Sequence, residues 1–175
     1  MRTAITTLLT IFVTLLNAQD RIGELEFLLG TYAVEVKLPN EQGEWKEGGK
    51  GQAKFYPILD RTFIREDLSL SFGQGTLTMS NSIGRDGRMN QLRMIAMDKE
   101  FATIDIYNGE IEDEKITFDN LTSDIPALTP DGQRISFRIT YTKVSDNKNE
   151  SLVEITNDGG ASWKVYSKQI FKKVK

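Results

Sequence analysis

Histidine and cysteine are both absent from this chain of 175 residues, and that removes more chemistry than any motif supplies. Without them there is no Ser-His-Asp or Cys-His nucleophile system, no zinc site of the ordinary ligand type and no His-ligated haem. Catalysis would have to rest on carboxylates, Lys, Tyr or Ser. An oxygen-ligand cation remains open, since Asp, Glu and carbonyls suffice for calcium. No Asp-x-Asp-x-Asp-Gly loop ending in Glu occurs, however, so no metal site is assigned. Gly-x-Gly-x-x-Gly and Walker-type loops are also missing, which leaves no phosphate cradle. No catalytic residue and no cofactor are therefore expected, and an enzyme is the less favoured reading.

Long apolar runs are equally scarce. The single one, Ala4 to Leu16, is interrupted only by threonines and follows the positive Arg2. It is shorter than the roughly 18 to 20 residues that span a bilayer. Ala18 then offers a small residue before Gln19-Asp20, the layout of a secretory signal peptide. Residues 1–18 are read as that peptide and residues 19–175 as one domain, secreted or periplasmic, soluble and free of the membrane after cleavage. With no cysteine, the exported domain has no disulfides and must stand on its core. The chain carries 22 basic and 25 acidic side chains, a net charge of −3, and loss of Arg2 makes it −4. The charges are interspersed, apart from Lys172, Lys173 and Lys175. No basic stripe is present to displace counterions from phosphates, so nucleic acid is not an expected partner.

Beyond the leader, the pattern is strand after strand. Arg21 to Leu29 is the exception, a short helix ended by Gly30. Tyr32, Val34, Val36 and Leu38 alternate with polar neighbours, and Pro39 to Gly49 reads as a turn carrying Trp45. Gly51 to Phe55 follows, then a strand with Ile64, Glu66, Leu68, Leu70 and Phe72 on one face. Leu77 to Ile83, Leu92 to Ala96 and Ala102 to Tyr107 come next, with Asn108-Gly109 read as a type I′ hairpin turn. Ile116 and Phe118, Ile135 to Tyr141, Leu152 to Ile155, and Trp163 to Phe171 complete the set. Thr122 to Gln133 is the longest loop of the second half. About ten strands joined by tight turns leave no room for crossover helices. The fold expected is all-β, an antiparallel up-and-down β-barrel with a short N-terminal helix, since closure removes exposed edges. A two-sheet sandwich is the second choice.

The most explicit local signal is Thr156-Asn157-Asp158-Gly159-Gly160-Ala161-Ser162-Trp163. Asp158, Gly159 and Gly160 tolerate the positive φ of a tight hairpin, and Trp163 opens the returning strand. The stretch also resembles the Asp-box of sialidase propellers. A propeller needs several such blades, so the box is read here as structural. Phe27-Leu28-Leu29-Gly30-Thr31-Tyr32 resembles the helix-to-strand signature of lipocalin-like (calycin) barrels, in which Gly-Thr-Trp is the commoner form. Leu59 to Glu66, together with Asn157 to Trp163, resembles a family of secreted bacterial lipocalin-like domains of unknown function. That resemblance spans nearly the whole mature chain and implies a barrel. It carries no established activity.

Barrels of this size are either filled by side chains or enclose one small ligand. The candidate lumen face holds Tyr32, Val34, Phe55, Ile64, Leu68, Met94, Ile106, Phe118, Phe137 and Ile139. Glu66 is the one acid that alternation places among them, between Ile64 and Leu68. Burial would require it to be paired or protonated, and Arg93 or Arg138 could reach it across a bulge. The simpler reading sets Glu66 at the rim, in water. Tyr107 and Tyr141 are read as packing aromatics with a wet hydroxyl. The function expected is binding of a small, partly apolar molecule. The alternative is a filled barrel that engages a protein or glycan through its outer face, Trp45 or the Thr122–Gln133 loop. A hydrolase or isomerase built on Glu66 is the weakest reading.

Overall fold

The computed structural model describes residues 22–73, 75–124, 127–129 and 131–174; the expected signal peptide lies outside them. Eleven strands follow one another: β1 (Gly30–Pro39), β2 (Trp45–Ile58), β3 (Phe63–Phe72), β4 (Gly75–Asp86), β5 (Gln91–Asp98) and β6 (Thr103–Glu112). Then come β7 (Lys115–Asp119), β8 (Ala127–Leu128), β9 (Arg134–Ser145), β10 (Lys148–Thr156) and β11 (Lys164–Lys173). Ten of them pair antiparallel in the order β1-β2-β3-β4-β5-β6-β7-β9-β10-β11, and β11 returns to β1. The protein is thus a closed, ten-stranded antiparallel β-barrel. β8 is two residues long and, among the described residues, pairs with β9 alone. No helix among the described residues is long and apolar enough to cross a membrane.

Side-chain period builds the wall. Along β3, Ile64, Glu66, Leu68 and Leu70 are buried while the residues between them are not, because successive strand residues face opposite sides. The same alternation puts Tyr32, Val34 and Val36 of β1 and Leu92, Met94 and Ala96 of β5 inside. One end of the barrel is then plugged. Ile22, Leu25 and Leu28 are spaced by three and all buried, flanking and within a 3-10 helix, Gly23–Leu28. Three residues per turn stacks them on one face, and burying each contributes about 1.5–3 kcal/mol. Tyr32 fastens the plug from below: its hydroxyl donates to the Leu29 carbonyl at 3.2 Å and accepts from Asn149 at 3.2 Å. Asn149 also donates to the Phe27 carbonyl at 3.0 Å. Arg61–Glu26 and Arg85–Glu24 ion pairs tie the plug to the rim.

Three expectations are corrected by the fold. Asn108-Gly109 is not a turn but the middle of β6. Gly109 faces inward, and a Cβ there would stand 2.5 Å from the Phe118 ring, so close packing, not turn geometry, demands the glycine. The turn falls at Asp113 instead, where φ is 54°. Trp45 is not carried in a long loop: it opens β2 opposite Pro39, and the turn shrinks to residues 40–44. Ile106 faces outward and is 47% exposed. β6 has apolar residues on both faces, and Tyr107 with Gly109 takes the inner one.

The last hairpin is organised by Asp158. Its carboxylate accepts from Thr156 Oγ1 at 2.6 Å, from the Ser162 amide at 3.0 Å and from Ser162 Oγ at 2.6 Å. These donors hold its carboxyl well below the usual carboxylate range. Trp163 receives the Arg138 guanidinium over its ring at 4.4 Å, and Arg138 pairs with Glu154 at 2.8 Å. Gly159 adopts φ 71°, a region that costs an L-residue about 1–2 kcal/mol. Gly159→Val is accordingly expected to lower stability in denaturant titration by about 2 kcal/mol. An unchanged midpoint would show that the turn does not need that conformation.

Candidate functional site

Three strands bring a polar cluster, with the one buried acid among the described residues, into a lumen whose other buried polar side chains include Asn149 and Ser151 of β10. Glu66 of β3 and Asn81 of β4 are register partners, so their side chains leave the wall on the same side. Both are buried, at 0% and 2% exposure. Asn81 Nδ2 donates to Glu66 Oε2 at 2.7 Å. The third member comes from the opposite wall. Tyr141 lies on β9, five strands from β3 in either direction round the ring, and its hydroxyl donates to the same Oε2 at 3.0 Å. The hydrogen bond therefore crosses the barrel. Phe55, Phe118 and Phe171 pack round the Tyr141 ring at centroid distances of 6.1, 6.4 and 6.3 Å. The Phe55 and Phe118 contacts are edge-on and the Phe171 contact is tilted, and such packing fixes the ring.

Electrostatics set the state of the cluster. Burial pushes the Glu66 carboxyl up to about 7, against the two hydrogen bonds that favour its charged form. Tyr141 is pushed well above its ordinary value by burial and by Glu66, and Tyr107 is raised by burial. Both phenols stay protonated, so Glu66 alone changes charge near neutrality. Glu66 Oε1 and Asn81 Oδ1 are buried and have no hydrogen-bond partner among the described residues, which for native interiors calls for an explanation. The cluster can hold a proton and accept donors. It presents no nucleophile and no second exchangeable acid.

The two ends of the lumen differ. At the plugged end Tyr32, Phe55 and Phe171 interlock at 5.9 Å. At the far end, Leu38, Phe72, Leu77, Met79, Phe137 and Ile139 pack against the core yet remain only half-buried. Leu77 and Met79 are register partners of the buried, inward Leu70 and Leu68, and Ile139 of Phe118. These side chains therefore face the lumen at that end, its candidate mouth. The polar cluster adjoins the ring cluster, since Glu66 is the register partner of Phe55 and Tyr141 packs on Phe55 and Phe171.

Of the residues assigned to the lumen from sequence, Tyr32, Val34, Phe55, Ile64, Leu68, Met94 and Phe118 are buried in the core, and Phe137 and Ile139 line the mouth. Ile106 is on the outer wall. Glu66 is not at a solvated rim, and neither Arg93 nor Arg138 reaches it; Arg138 pairs with Glu154 on the outside. The hydroxyl of Tyr141 is not wet but bonded to Glu66. Asn81 was missed. The signal for it was present: in β4, Asn81 stands between Met79 and Ile83 as Glu66 stands between Ile64 and Leu68.

No family profile matches the chain, and no curated protein matches it. Among solved structures it is similar to a protein of unknown function from the DUF3598 family of Nostoc punctiforme, at 7% identity over 89% of this chain and 99% of that one. The TM-score is 0.26, too low to carry an argument about fold or function.

The buried carboxyl makes stability depend on pH. Glu66 ionises near its ordinary value of 4.5 when unfolded and at about 7 when folded. The folded state thus holds its proton more tightly. The stabilisation is complete below pH 4.5 and is lost as pH rises through 7, on the order of 3 kcal/mol in all. Glu66→Gln is expected to remove that slope and to exceed wild type in stability above pH 7. Parallel pH profiles for the two proteins in urea titration would contradict the burial of an unpaired acid.

Proposed function

We propose that the protein is an exported, lipocalin-like barrel that binds a small, partly apolar molecule through the far end of its lumen. The observation that carries this reading is the asymmetry of the interior. One end is sealed by a fastened plug, apolar side chains toward the other are half-exposed, and the interior holds polar atoms without a partner among the described residues. An apolar wall with a few placed polar groups is what small-ligand sites have in common. Met79, at the mouth, can adapt its shape to an irregular guest. The lipocalin-like label is supported by the chain entering β1 directly from the plug through Gly30-Thr31-Tyr32, and export by the leader pattern of residues 1–18.

A specific observation favours a second reading, in which the outer wall engages a partner. Ile95 faces Ile106 and Met97 faces Ile104 across β5 and β6, and Ile95, Ile104, Ile106 and nearby Phe101 are exposed. Nile red separates the two. Wild type is expected to take up the dye, and Met79→Trp or Leu77→Trp to weaken uptake roughly fivefold or more by filling the mouth, while Ile104→Ser leaves it unchanged. Uptake lost only in Ile104→Ser would move the binding site to the outer wall.

A further inference from the structure

We infer that the lumen selects the protonated amine head group of an amphiphile. The inference rests on the reading of the lumen as a ligand site and names the head group that site takes. Glu66 Oε1 and Asn81 Oδ1 are both acceptors, both buried and both without a donor among the described residues. An ammonium group carries three N–H donors and no acceptor, and so supplies what both atoms lack. An alcohol offers a single donor for two acceptors. A carboxylate offers none and adds a second negative charge beside Glu66.

Among the described residues no side-chain cation occupies this position. Glu66 belongs to no ion pair among the described residues, whose pairs join Lys and Arg to other carboxylates. The register neighbours of the acid are non-ionisable: Phe55 from β2, Asn81 from β4 and, one strand further, Ala96 from β5. The ionisable groups are Tyr141 from β9 and, beside it, Tyr107 from β6; Asp67 on β3 points outward, to Tyr56 and Ser80. A desolvated acid without a counter-charge is costly to keep ionised, and a cation with N–H donors offsets that cost. The ammonium binds the ionised form, so where Glu66 is protonated its proton leaves for solvent on binding. Binding must then weaken as acid refills the site. The apolar tail lies along the half-exposed wall formed by Leu77, Met79 and Ile139.

Competition for bound Nile red on the full chain tests the head group. The competitors are n-decylammonium, decanol and decanoate, which share a tail and differ in charge and donors. At about pH 8, decylammonium is expected to displace the dye at about one-tenth the concentration decanol needs, with decanoate weakest; a charge-assisted hydrogen bond accounts for a factor of that size. At about pH 5 the preference for decylammonium should shrink about tenfold. Glu66→Gln should abolish both the preference and its pH dependence. Equal potency of the three in wild type, a preference for decanoate, or an amine preference surviving in Glu66→Gln overturns the inference and leaves the lumen reading standing. Failure of Nile red to bind at all overturns the lumen reading itself.

Discussion

The hydrogen bond from Tyr141 to Glu66 is the constraint round which the interior is arranged. It joins strands on opposite sides of a ten-stranded ring, so it fixes how far apart the two walls stand at that level. Phe55, Phe118 and Phe171 pack round the Tyr141 ring and hold it in place. Glu66 in turn is held by Asn81 from the neighbouring strand. A barrel needs no such strut for stability, and apolar residues of similar size would fill the space at less electrostatic cost. Placing a carboxyl there, with one oxygen left unpartnered, sacrifices stability at neutral pH.

Stability is recovered at the plugged end. Ile22, Leu25 and Leu28 seal the barrel, and the Tyr32–Asn149 pair satisfies the carbonyls that the 3-10 helix leaves free. The Arg85–Glu24 bridge is exposed on its acidic side, so it orients the plug more than it stabilises it. The far end carries the segment that leads from β7 to β9, in which Asn120 is buried and accepts from the Phe137 amide at 2.6 Å, and its lumen-facing Leu77, Met79 and Phe137 stay half-buried. A rigid base beneath a less tightly packed mouth is a division of labour suited to a site that must admit a guest.

Much of the barrel was legible in the sequence because strands declare themselves by period. Ten alternating segments and tight turns were enough to expect a closed antiparallel sheet. The errors have physical causes. Asn108-Gly109 has turn chemistry, but the space against Phe118 claims that glycine for packing within β6. Ile106 was placed inside because β6 carries isoleucine on one face and Tyr107 on the other, and composition does not say which face wins. Glu66 was on the correct face but in the wrong environment. Its partners come from β4 and β9, and register and distant pairing are absent from any local pattern. Once Glu66 and Asn81 are seen as neighbours across β3 and β4, the matching gaps in their apolar faces are evident.

The most direct measurement is the pH titration of the Glu66 side-chain carboxyl carbon by NMR, in wild type and in Tyr141→Phe. Burial of the acid under a cross-barrel hydrogen bond predicts a midpoint of about 7 in wild type. It predicts a higher midpoint in Tyr141→Phe, where a donor favouring the charged form is gone. A wild-type midpoint near 4.5, unmoved by the substitution, would mean that Glu66 is solvated and that the strut does not exist.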